Sequence, residues 1–286
     1  MAKLNSVELK KREHDTWSAA AVGWRRRHEL LRQGAALVTE RMLTLARLSK
    51  GHHLLDIASG TGEPALSAAR IVGETGRVIG TDLAEEMLMV ARDMAAEARL
   101  GNIEFRCHDG ETLDFDENSF DAATIRWGLM FMPEPEDCLG AVYRALKPGA
   151  RISVACWAAL DKNPFLHVLM RTLGNYMELP KPPPGTPGIF SFADPERIRN
   201  TLSAAGFQNI ELEELEIDVL EVADGRAYWE AISDLAAPVM AMVRQLDEPS
   251  QAAYIDEVIR VADSMKQGDT LKMPGVTWVA VAQKTE

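Results

Sequence analysis

A short apolar segment that runs directly into a glycine turn is the feature that most limits how this chain can fold. Residues 53–58 (His-Leu-Leu-Asp-Ile-Ala) have the length and composition of a buried strand, and residues 59–62 (Ser-Gly-Thr-Gly) follow as a turn. Pro64 stands where a helix would begin, and Gly73 where that helix would end. A strand, a tight turn and a helix in this order predict the first unit of an α/β domain.

The alternation of strands and helices continues along the chain. Strands are predicted at 77–81, 103–107, 120–127 and 150–157, with helices over 85–100 and 136–146. Beyond Trp157 the pattern predicts helices over 163–173, 194–206 and within 228–265, a proline-rich loop over 179–188, and strands over 210–222 and 276–283. We therefore predict an α/β fold with a mostly parallel sheet covered by helices on both faces.

Apolar residues recur at helical spacing before the first strand, including Trp17, Trp24 and Leu31. Gly23 and Gly34 are the positions where this helical stretch could break. We predict one domain across 1–286, with an N-terminal helical lid over 1–40, a cofactor-binding core over 41–157, and the remaining strands with a helical acceptor-side insertion over 158–286. The alternative to a lid is a helix packed permanently on the side of the sheet.

Carboxylates flank the glycine turn. The pattern Gly60-x-Gly62-x-x-Ala65 also matches dinucleotide-binding loops. A pyrophosphate would, however, lie between Asp56 and Glu63, whereas a ligand with an ammonium and a sulfonium would be stabilised there. These two acids therefore favour a cationic ligand without phosphates.

Two further acids follow the next predicted strands. Asp82 ends the second strand, where a carboxylate suits a ribose diol. Asp109 follows the third strand and could accept a hydrogen bond from an adenine amine. Each acid alone could be a simple turn or helix cap, but their position at consecutive strand ends predicts an adenosine-like ligand.

Five motifs follow one another along the predicted strands and turns: Asp56-x-x-x-Gly60-x-Gly62, Gly80-Thr81-Asp82-Leu83 with Met87, His108-Asp109-Gly110-Glu111, Phe120-Asp121-Ala122-Ala123 and Leu146-Lys147-Pro148-Gly149-Ala150. Together they resemble those of class I S-adenosylmethionine-dependent methyltransferases. Within that class they are most similar to the group of ubiquinone/menaquinone-pathway C-methyltransferases and natural-product methyltransferases. The resemblance implies a Rossmann-like, seven-stranded sheet whose last strand is antiparallel. It also implies S-adenosylmethionine as cofactor and methyl transfer to a carbon, oxygen or nitrogen atom of a small molecule.

The resemblance also implies roles for individual residues. Ser59, Gly60 and Gly62 form the turn at the cofactor, with the two glycines under its methionine part, and Asp56 orders the ammonium directly or through water. Asp82 binds the ribose hydroxyls. Further cofactor contacts are implied for residues beside the adenine or at the cofactor mouth: Leu83, Met87, Asp109, Gly110 and Arg126.

A general base is hard to assign from the sequence. His28 lies on the apolar face of the N-terminal helices, and His167 lies in the segment after the fifth strand. Either could instead be a histidine without a chemical role. The tryptophans expected around the site suggest an acceptor with apolar or aromatic character.

Composition excludes several partner classes. The chain has 31 Lys and Arg against 43 Asp and Glu, a formal net charge of −12, which disfavours nucleic-acid binding. No apolar run is long enough for a membrane span, and the three scattered cysteines predict neither disulfides nor a metal site.

We expect a cytoplasmic enzyme, and that it forms a homodimer is a hypothesis. The alternatives are an NAD-dependent oxidoreductase and a non-catalytic nucleotide-binding protein of methyltransferase-like fold.

Overall fold

Seven strands form one sheet in the computed structural model, which describes residues 5–180, 183 and 185–285. The strands are β1 (His53–Ile57), β2 (Arg77–Asp82), β3 (Ile103–Cys107), β4 (Phe120–Arg126), β5 (Leu146–Trp157), β6 (Gln208–Val222) and β7 (Leu271–Gln283). Their order across the sheet is β3-β2-β1-β4-β5-β7-β6. β1 to β5 pair in parallel, and β7 is antiparallel to both β5 and β6. The predicted sheet with an antiparallel last strand is confirmed.

Helices cover both faces of this sheet and one of its edges. They are α1 (Ser6–Arg26), α2 (His28–Gly34), α3 (Ala36–Leu45), α4 (Ala65–Val72), α5 (Glu85–Glu97), α6 (Pro135–Ala145), α7 (Pro164–Leu173), α8 (Pro195–Ala204), α9 (Gly225–Leu235), α10 (Ala237–Val243) and α11 (Glu248–Asp263). No described helix is long and apolar enough to cross a bilayer. The predicted proline-rich loop lies partly outside the described residues.

Neighbouring residues of β1 face opposite sides of the sheet, as strand geometry requires. Leu54 belongs to a cluster with Leu66 of α4 and Leu88 of α5. Leu55 belongs to the larger cluster on the other face, which extends through β5 to α9 and α11. Burial on both faces explains why the parallel strands read as continuous apolar runs.

The carboxyl ends of the parallel strands all lie on the same side of the sheet. The order in which the chain adds strands reverses between β1 and β4. β2 and β3 extend from β1 on one side, and β5 extends from β4 on the other. Such a switch point leaves a crevice between the two halves, where open α/β sheets bind ligands.

Several predicted boundaries differ from the structure; β7, for example, begins at Leu271 and not at Val276. The N-terminal helix continues through Gly23, where a Cβ atom would lie 2.5 Å from the Asp234 carbonyl oxygen, so this glycine permits close packing on α9 and does not break the helix. The predicted break at Gly34 is confirmed, because α2 ends there. β5 begins at Leu146, before the predicted Ala150, because the buried Leu146 pairs with Phe120 of β4.

The close approach of Gly34 to β6 generates a stability prediction. A Cβ atom at this position would lie 2.0 Å from the Val219 carbonyl oxygen. We expect Gly34→Ala to lower the free energy of unfolding by about 1–3 kcal/mol, because α2 and β6 must separate. In α6, a Cβ on Gly140 would meet only the end of the Arg144 side chain, at 4.0 Å. The control Gly140→Ala should therefore stabilise the protein by about 0.4–1 kcal/mol in denaturant titrations. Equal effects of both changes would contradict this packing.

Candidate active site

A cavity lies over the carboxyl ends of β1 to β5 and is covered by α1, α2 and the helices after β6. The space within it, with the solvent at its open mouth included, is about 1520 Å³. Its lining is continuous from the ends of β1, β2 and β3 to those of β4 and β5.

The lining divides into two parts. The polar half follows β1, β2, β3 and the N-terminal part of α1. The apolar half follows the C-terminal part of α1, α2, β4, β5 and the elements after them. The polar half contains Lys10, Glu13, Ser59, Gly60, Thr61, Glu63, Asp82, Leu83, Met87, His108, Asp109, Gly110 and Glu111. The apolar half contains Trp24, Leu31, Trp127, Met130, Trp157, Phe165, Leu166, Ile189, Val219, Leu220, Ile232, Leu235, Ala236 and Pro238.

The glycine turn forms one wall of the polar half. Gly60 has φ +52°, and a Cβ built on it meets no atom within 4 Å, so a side chain would occupy the open cavity. Gly62 has φ +112°, and its Cβ would lie 2.8 Å from the Leu66 side chain of α4. The first glycine lets a ligand approach the backbone, and the second lets the turn pack on the helix.

Asp82 holds this turn in place. Its Oδ2 accepts a hydrogen bond from the Gly60 N–H at 2.8 Å, and its Oδ1 accepts one from the Ala84 N–H at 2.9 Å. Burial raises the pKa of Asp82, while these backbone donors oppose that shift. Each carboxylate oxygen has a second lone pair, so the group can also accept hydrogen bonds from a ligand.

Asp56 lies beneath the turn and does not line the cavity. Its side chain is fully buried, and Oδ1 accepts a hydrogen bond from the Thr124 hydroxyl at 2.6 Å. Oδ2 has no hydrogen-bond partner among the described residues. Burial raises the pKa of Asp56 to about 7. A carboxyl group of this kind is half charged near neutral pH and would become fully charged beside a cation.

Asp109 ends the polar half and is joined to α1. Its Oδ1 accepts a hydrogen bond from the Glu111 N–H at 2.9 Å, and its Oδ2 contacts Lys10 Nζ at 2.6 Å. The same ammonium contacts Glu111 Oε2 at 2.5 Å. Gly110 permits the close approach of Met132, whose methyl would lie 2.9 Å from a Cβ at that position. Lys10 therefore closes the N-terminal helix onto the loop after β3.

Arg126 marks the border between the two halves. It is the last residue of β4, and its guanidinium donates to Thr39 Oγ1 at 2.8 Å and to the Glu63 carbonyl at 3.0 Å. It also lies over the Trp127 ring, 5.1 Å from the centroid. Burial lowers the pKa of Arg126. The side chain is held rigidly by neutral acceptors and an aromatic face.

Aromatic rings build the apolar half. Trp127 stacks on Trp157 with centroids 4.2 Å apart, and Trp157 contacts Phe165 with centroids 4.8 Å apart. The Trp127 N–H donates to the Thr277 hydroxyl at 3.0 Å, which keeps its polar edge satisfied. On the opposite side of the apolar half, the indole N–H of Trp24 in α1 donates to the Leu235 carbonyl at 3.3 Å and closes the cavity.

The predicted site residues fall into three groups. Ser59, Gly60, Asp82, Leu83, Met87, Asp109, Gly110 and Arg126 line the cavity, whereas Asp56 and Gly62 support the turn from below. The two predicted base candidates, His28 and His167, are not among the cavity-lining residues. Burial lowers the pKa of His28, which keeps its ring neutral at pH 7. No group of three metal-ligating side chains occurs within the described part of the chain.

Sequence reasoning missed the polar side chains that α1 contributes. Lys10 and Glu13 line the cavity together with Trp17 and Trp24, and the four share one helix face at spacings of three, four and seven. The tryptophan stripe was visible in the sequence. Extending it from Trp17 by four and by seven residues toward the N-terminus would also have selected Glu13 and Lys10.

A family model matches the part of the chain that carries this crevice. The model of the ubiE/COQ5 methyltransferase family matches residues 28–170, half of the chain. This chain belongs to the ubiE/COQ5 methyltransferase family. The resemblance inferred from the five motifs is thereby confirmed.

Curated relatives agree with the family. The chain is 43% identical over 106 residues to the ubiquinone/menaquinone biosynthesis C-methyltransferase UbiE of Pseudoalteromonas translucida, a match covering 37% of this chain and 42% of that protein. It is 28% identical over 212 residues to UbiE of Erwinia tasmaniensis, covering 68% of this chain and 82% of that protein. The stronger match thus spans less than half of its relative.

Solved structures share the fold of this ubiE/COQ5 family member. The [4+2]-cyclase SpnF has a TM-score of 0.57 at 22% identity, covering 89% of this chain and 83% of the cyclase chain. The YcgJ protein from Bacillus subtilis has a TM-score of 0.57 at 18% identity, covering 87% of this chain and 98% of its own. At these identities the likeness concerns the fold alone.

The buried Asp56 gives this protein a pH dependence of stability. Because its folded-state pKa of about 7 lies above the ordinary value of 3.8, the folded state binds a proton more tightly than the unfolded chain. The contribution of Asp56 to stability is therefore lost as pH rises from about 4 to about 7. We expect Asp56→Asn to become more stable relative to the unchanged protein across this window, by up to about 1.4 kcal/mol per pH unit.

The measurement is urea unfolding of both proteins at several pH values between 4 and 8. Asp114→Asn, at an exposed loop position, is the matched control for the removal of one carboxylate. A pH-independent difference between Asp56→Asn and the unchanged protein would contradict the raised pKa.

Proposed function

We propose that this protein transfers a methyl group from S-adenosylmethionine to a small, apolar acceptor and releases S-adenosylhomocysteine. The observation that carries the proposal is the divided cavity. Its polar half has carboxylates at the ends of β2 and β3 and a third beneath the turn after β1, and its apolar half is joined to it at Arg126. One molecule with an adenosine and an amino-acid part would fit the polar half, next to an apolar molecule.

The polar half offers a partner for each part of the cofactor. Asp82 would accept hydrogen bonds from the ribose hydroxyls, and Leu83 and Met87 would flank the adenine. Asp109 and Gly110 would contact the adenine edge. Asp56 does not line the cavity, so we expect its unpaired Oδ2 to act on the cofactor ammonium through water.

The chain's own contribution to the reaction is positioning and exclusion of water. When bound, S-adenosylmethionine supplies a methyl group already activated by a sulfonium. Gly60 lets the backbone approach the cofactor, while Trp24 and the stacked Trp127 and Trp157 hold an acceptor against it in a water-poor space. In-line orientation of two bound reactants can supply much of the rate acceleration in such a displacement.

The acceptor walls come largely from a part of the chain outside the family match, which ends at residue 170. Val219, Leu220, Ile232 and Leu235 lie on β6 and α9, beyond that limit. We therefore propose an acceptor of apolar or aromatic character, whose identity is set by these elements and can differ from the acceptors of the UbiE relatives.

The structure also weighs against a nicotinamide cofactor. A pyrophosphate on the glycine turn would lie close to Glu63, a cavity-lining carboxylate, and above the buried Asp56. Both charges would disfavour it, since neighbouring like charges in a buried site are costly. Binding of S-adenosylmethionine without methyl transfer is the remaining alternative, and turnover decides it.

The test of the proposed function is binding followed by turnover. Calorimetry with S-adenosylmethionine and with NAD should show binding of the first alone. Protein incubated with methyl-labelled S-adenosylmethionine and a panel of apolar phenols, enols and amines should transfer the label to at least one acceptor. Binding without any transfer would favour a non-catalytic role, and selective NAD binding would reject the proposal.

Asp82→Asn should weaken S-adenosylmethionine binding at least tenfold. The substitution removes the charge that strengthens hydrogen bonds to the ribose hydroxyls, which contributes about 1.5–3 kcal/mol. It retains a carbonyl oxygen for one of the two backbone donors, so the turn should stay folded. Asp114→Asn is the matched control and should bind as the unchanged protein does. Unchanged affinity of Asp82→Asn in calorimetry would reject the assigned ribose contact.

We infer that α1 acts as a lid over this cavity. Its Lys10 contacts Asp109 and Glu111, and Trp17 packs edge-to-face on Phe131 with centroids 5.1 Å apart. At its other end, Arg26 and Arg27 pair with Asp234 of α9. Between these ends Ala20 and Ala21 pack with Met87 and Val90 of α5, so opening of the lid would separate α1 from α5 and leave the strands in place.

The lid generates a prediction that uses two adjacent lysines. Lys10 pairs across the cavity mouth, whereas Lys11 pairs, among the described residues, only with Asp15 on its own helix, at 2.7 Å. S-adenosylhomocysteine should slow trypsin cleavage at Arg25–Arg27 and amide exchange along α1. Lys10→Met should reduce this protection, and Lys11→Met should preserve it. Equal cleavage of the unchanged protein with and without ligand would indicate a permanently packed helix.

A further inference from the structure

His108 is the first residue after β3, and it lines the polar half of the cavity. Its backbone N–H donates to the Asp82 carbonyl at 2.9 Å, which continues the pairing of β3 with β2 beyond the ends of both strands. His108 therefore lies between Asp82, the proposed ribose contact, and Asp109 with Gly110, the proposed contacts of the adenine edge. The proposed cofactor contacts do not use its ring.

One hydrogen bond fixes the tautomer of the His108 ring. Nδ1 lies 3.0 Å from the backbone carbonyl oxygen of Asp109. A carbonyl oxygen can only accept, so Nδ1 carries the hydrogen, and in the neutral ring Nε2 then carries a lone pair. Nε2 has no hydrogen-bond partner among the described residues. The ring therefore brings a free acceptor to the wall of the polar half.

The carboxylate of Asp109 is, in contrast, already engaged. Its Oδ1 accepts from the Glu111 N–H at 2.9 Å, and its Oδ2 lies 2.6 Å from Lys10 Nζ. The same ammonium lies 2.5 Å from Glu111 Oε2. Both oxygens of Asp109 thus face donors of the protein, whereas His108 Nε2 faces none. A ligand N–H that bonds to Nε2 displaces no donor of the protein, so its net gain is larger there.

We propose that His108 Nε2 accepts a hydrogen bond from the exocyclic amine of adenine and thereby makes this protein selective for a 6-aminopurine in its cofactor. This inference rests on the proposed function and deepens it. It moves the amine from Asp109, which the sequence alone suggested, to the neighbouring ring. Asp109 then acts as a positioning residue, because its carbonyl orients the ring and its carboxylate holds Lys10.

The lone pair on Nε2 also explains how other purines are rejected. A 6-oxopurine carries a carbonyl oxygen where adenine carries its amine. Two acceptors would then face each other, and neither would have a donor. Sites that bond a polar group of the ligand discriminate strongly against analogues that leave such a group unpaired.

The test is a thermodynamic cycle between the ring and the amine. Calorimetry at pH 8 measures binding of S-adenosylhomocysteine, and of its analogue without the 6-amino group, to the unchanged protein and to His108→Phe. Loss of the amine should weaken binding to the unchanged protein about three- to tenfold, as expected for one hydrogen bond between neutral groups. In His108→Phe the amine should change affinity by less than about twofold, since this variant keeps an aromatic ring without an acceptor.

Two variants and a second analogue control for packing. His53→Phe changes an exposed histidine at the start of β1, at the opposite end of that strand from the glycine turn, and should keep the full effect of the amine. His108→Gln retains a side-chain oxygen that can accept, so it should restore part of the effect. Loss of the ribose 2′-hydroxyl should weaken binding to His108→Phe and to the unchanged protein equally, within about twofold.

A spectroscopic measurement observes the ring in the unchanged protein. With ¹⁵N-labelled histidine, the signals absent from His108→Gln identify His108 among the six histidines. We expect Nδ1 to carry the hydrogen and the Nε2 signal to move when S-adenosylhomocysteine binds. It should move much less with the analogue that lacks the amine. A ring that only packs on the cofactor would respond alike to both ligands, and a hydrogen on Nε2 of the neutral ring would reject the proposal.

The outcomes separate this proposal from the proposed function. If the unchanged protein does not bind S-adenosylhomocysteine, the proposed function itself is rejected. If it binds but the amine has no effect, or has its full effect in His108→Phe, the assignment of His108 is wrong and the proposed function stands. An effect that disappears in Asp109→Asn and persists in His108→Phe would return the amine to Asp109. Thermal melting verifies that each variant is folded, and the histidine signals provide the readout if His108→Phe is not.

Discussion

The hydrogen bond from the Gly60 N–H to the Asp82 carboxylate joins the turn after β1 to the end of β2. It holds the glycine backbone in a left-handed conformation with open space where a side chain would be. Because β1 is central in the sheet and β4 lies on its other side, the same turn also sets the position of Arg126, which donates to the Glu63 carbonyl. This turn therefore helps to fix the position of both halves of the cavity.

Charge is distributed unevenly around that turn. The acids of the polar half remain close to a deeply buried Asp56 whose pKa is raised by burial, and Lys10 compensates only the pair at its far end. This arrangement favours a ligand that brings positive charge, since its binding would ionise Asp56 fully. On the other side Arg126 donates to neutral acceptors and lies over the Trp127 ring, while Glu63 and Asp56 act on its charge from farther away.

The fold alone does not decide the reaction. SpnF shares the architecture at 22% identity and is described as a [4+2]-cyclase, while the UbiE relatives are C-methyltransferases. What differs between such proteins must lie in the elements that border the acceptor. Here those are α1, β6 and the α9–α10 pair, which pack against the carboxyl edge of a sheet whose first five strands carry the family pattern.

The sequence by itself determined the sheet, the glycine turn and the acids at the strand ends, because each depends on local patterning: apolar runs, glycines at a turn, and polar residues directly after a strand. For the helix break it offered Gly23 and Gly34 alike, and tertiary structure decided that a helix ends at Gly34. Tertiary structure alone also decided that Asp56 lies beneath the turn, that His28 and His167 are not among the cavity-lining residues, and that Lys10 and Glu13 are. These outcomes depend on how α1 and the late helices pack over the sheet, through contacts between residues as distant in sequence as Lys10 and Asp109, and no local pattern encodes such contacts.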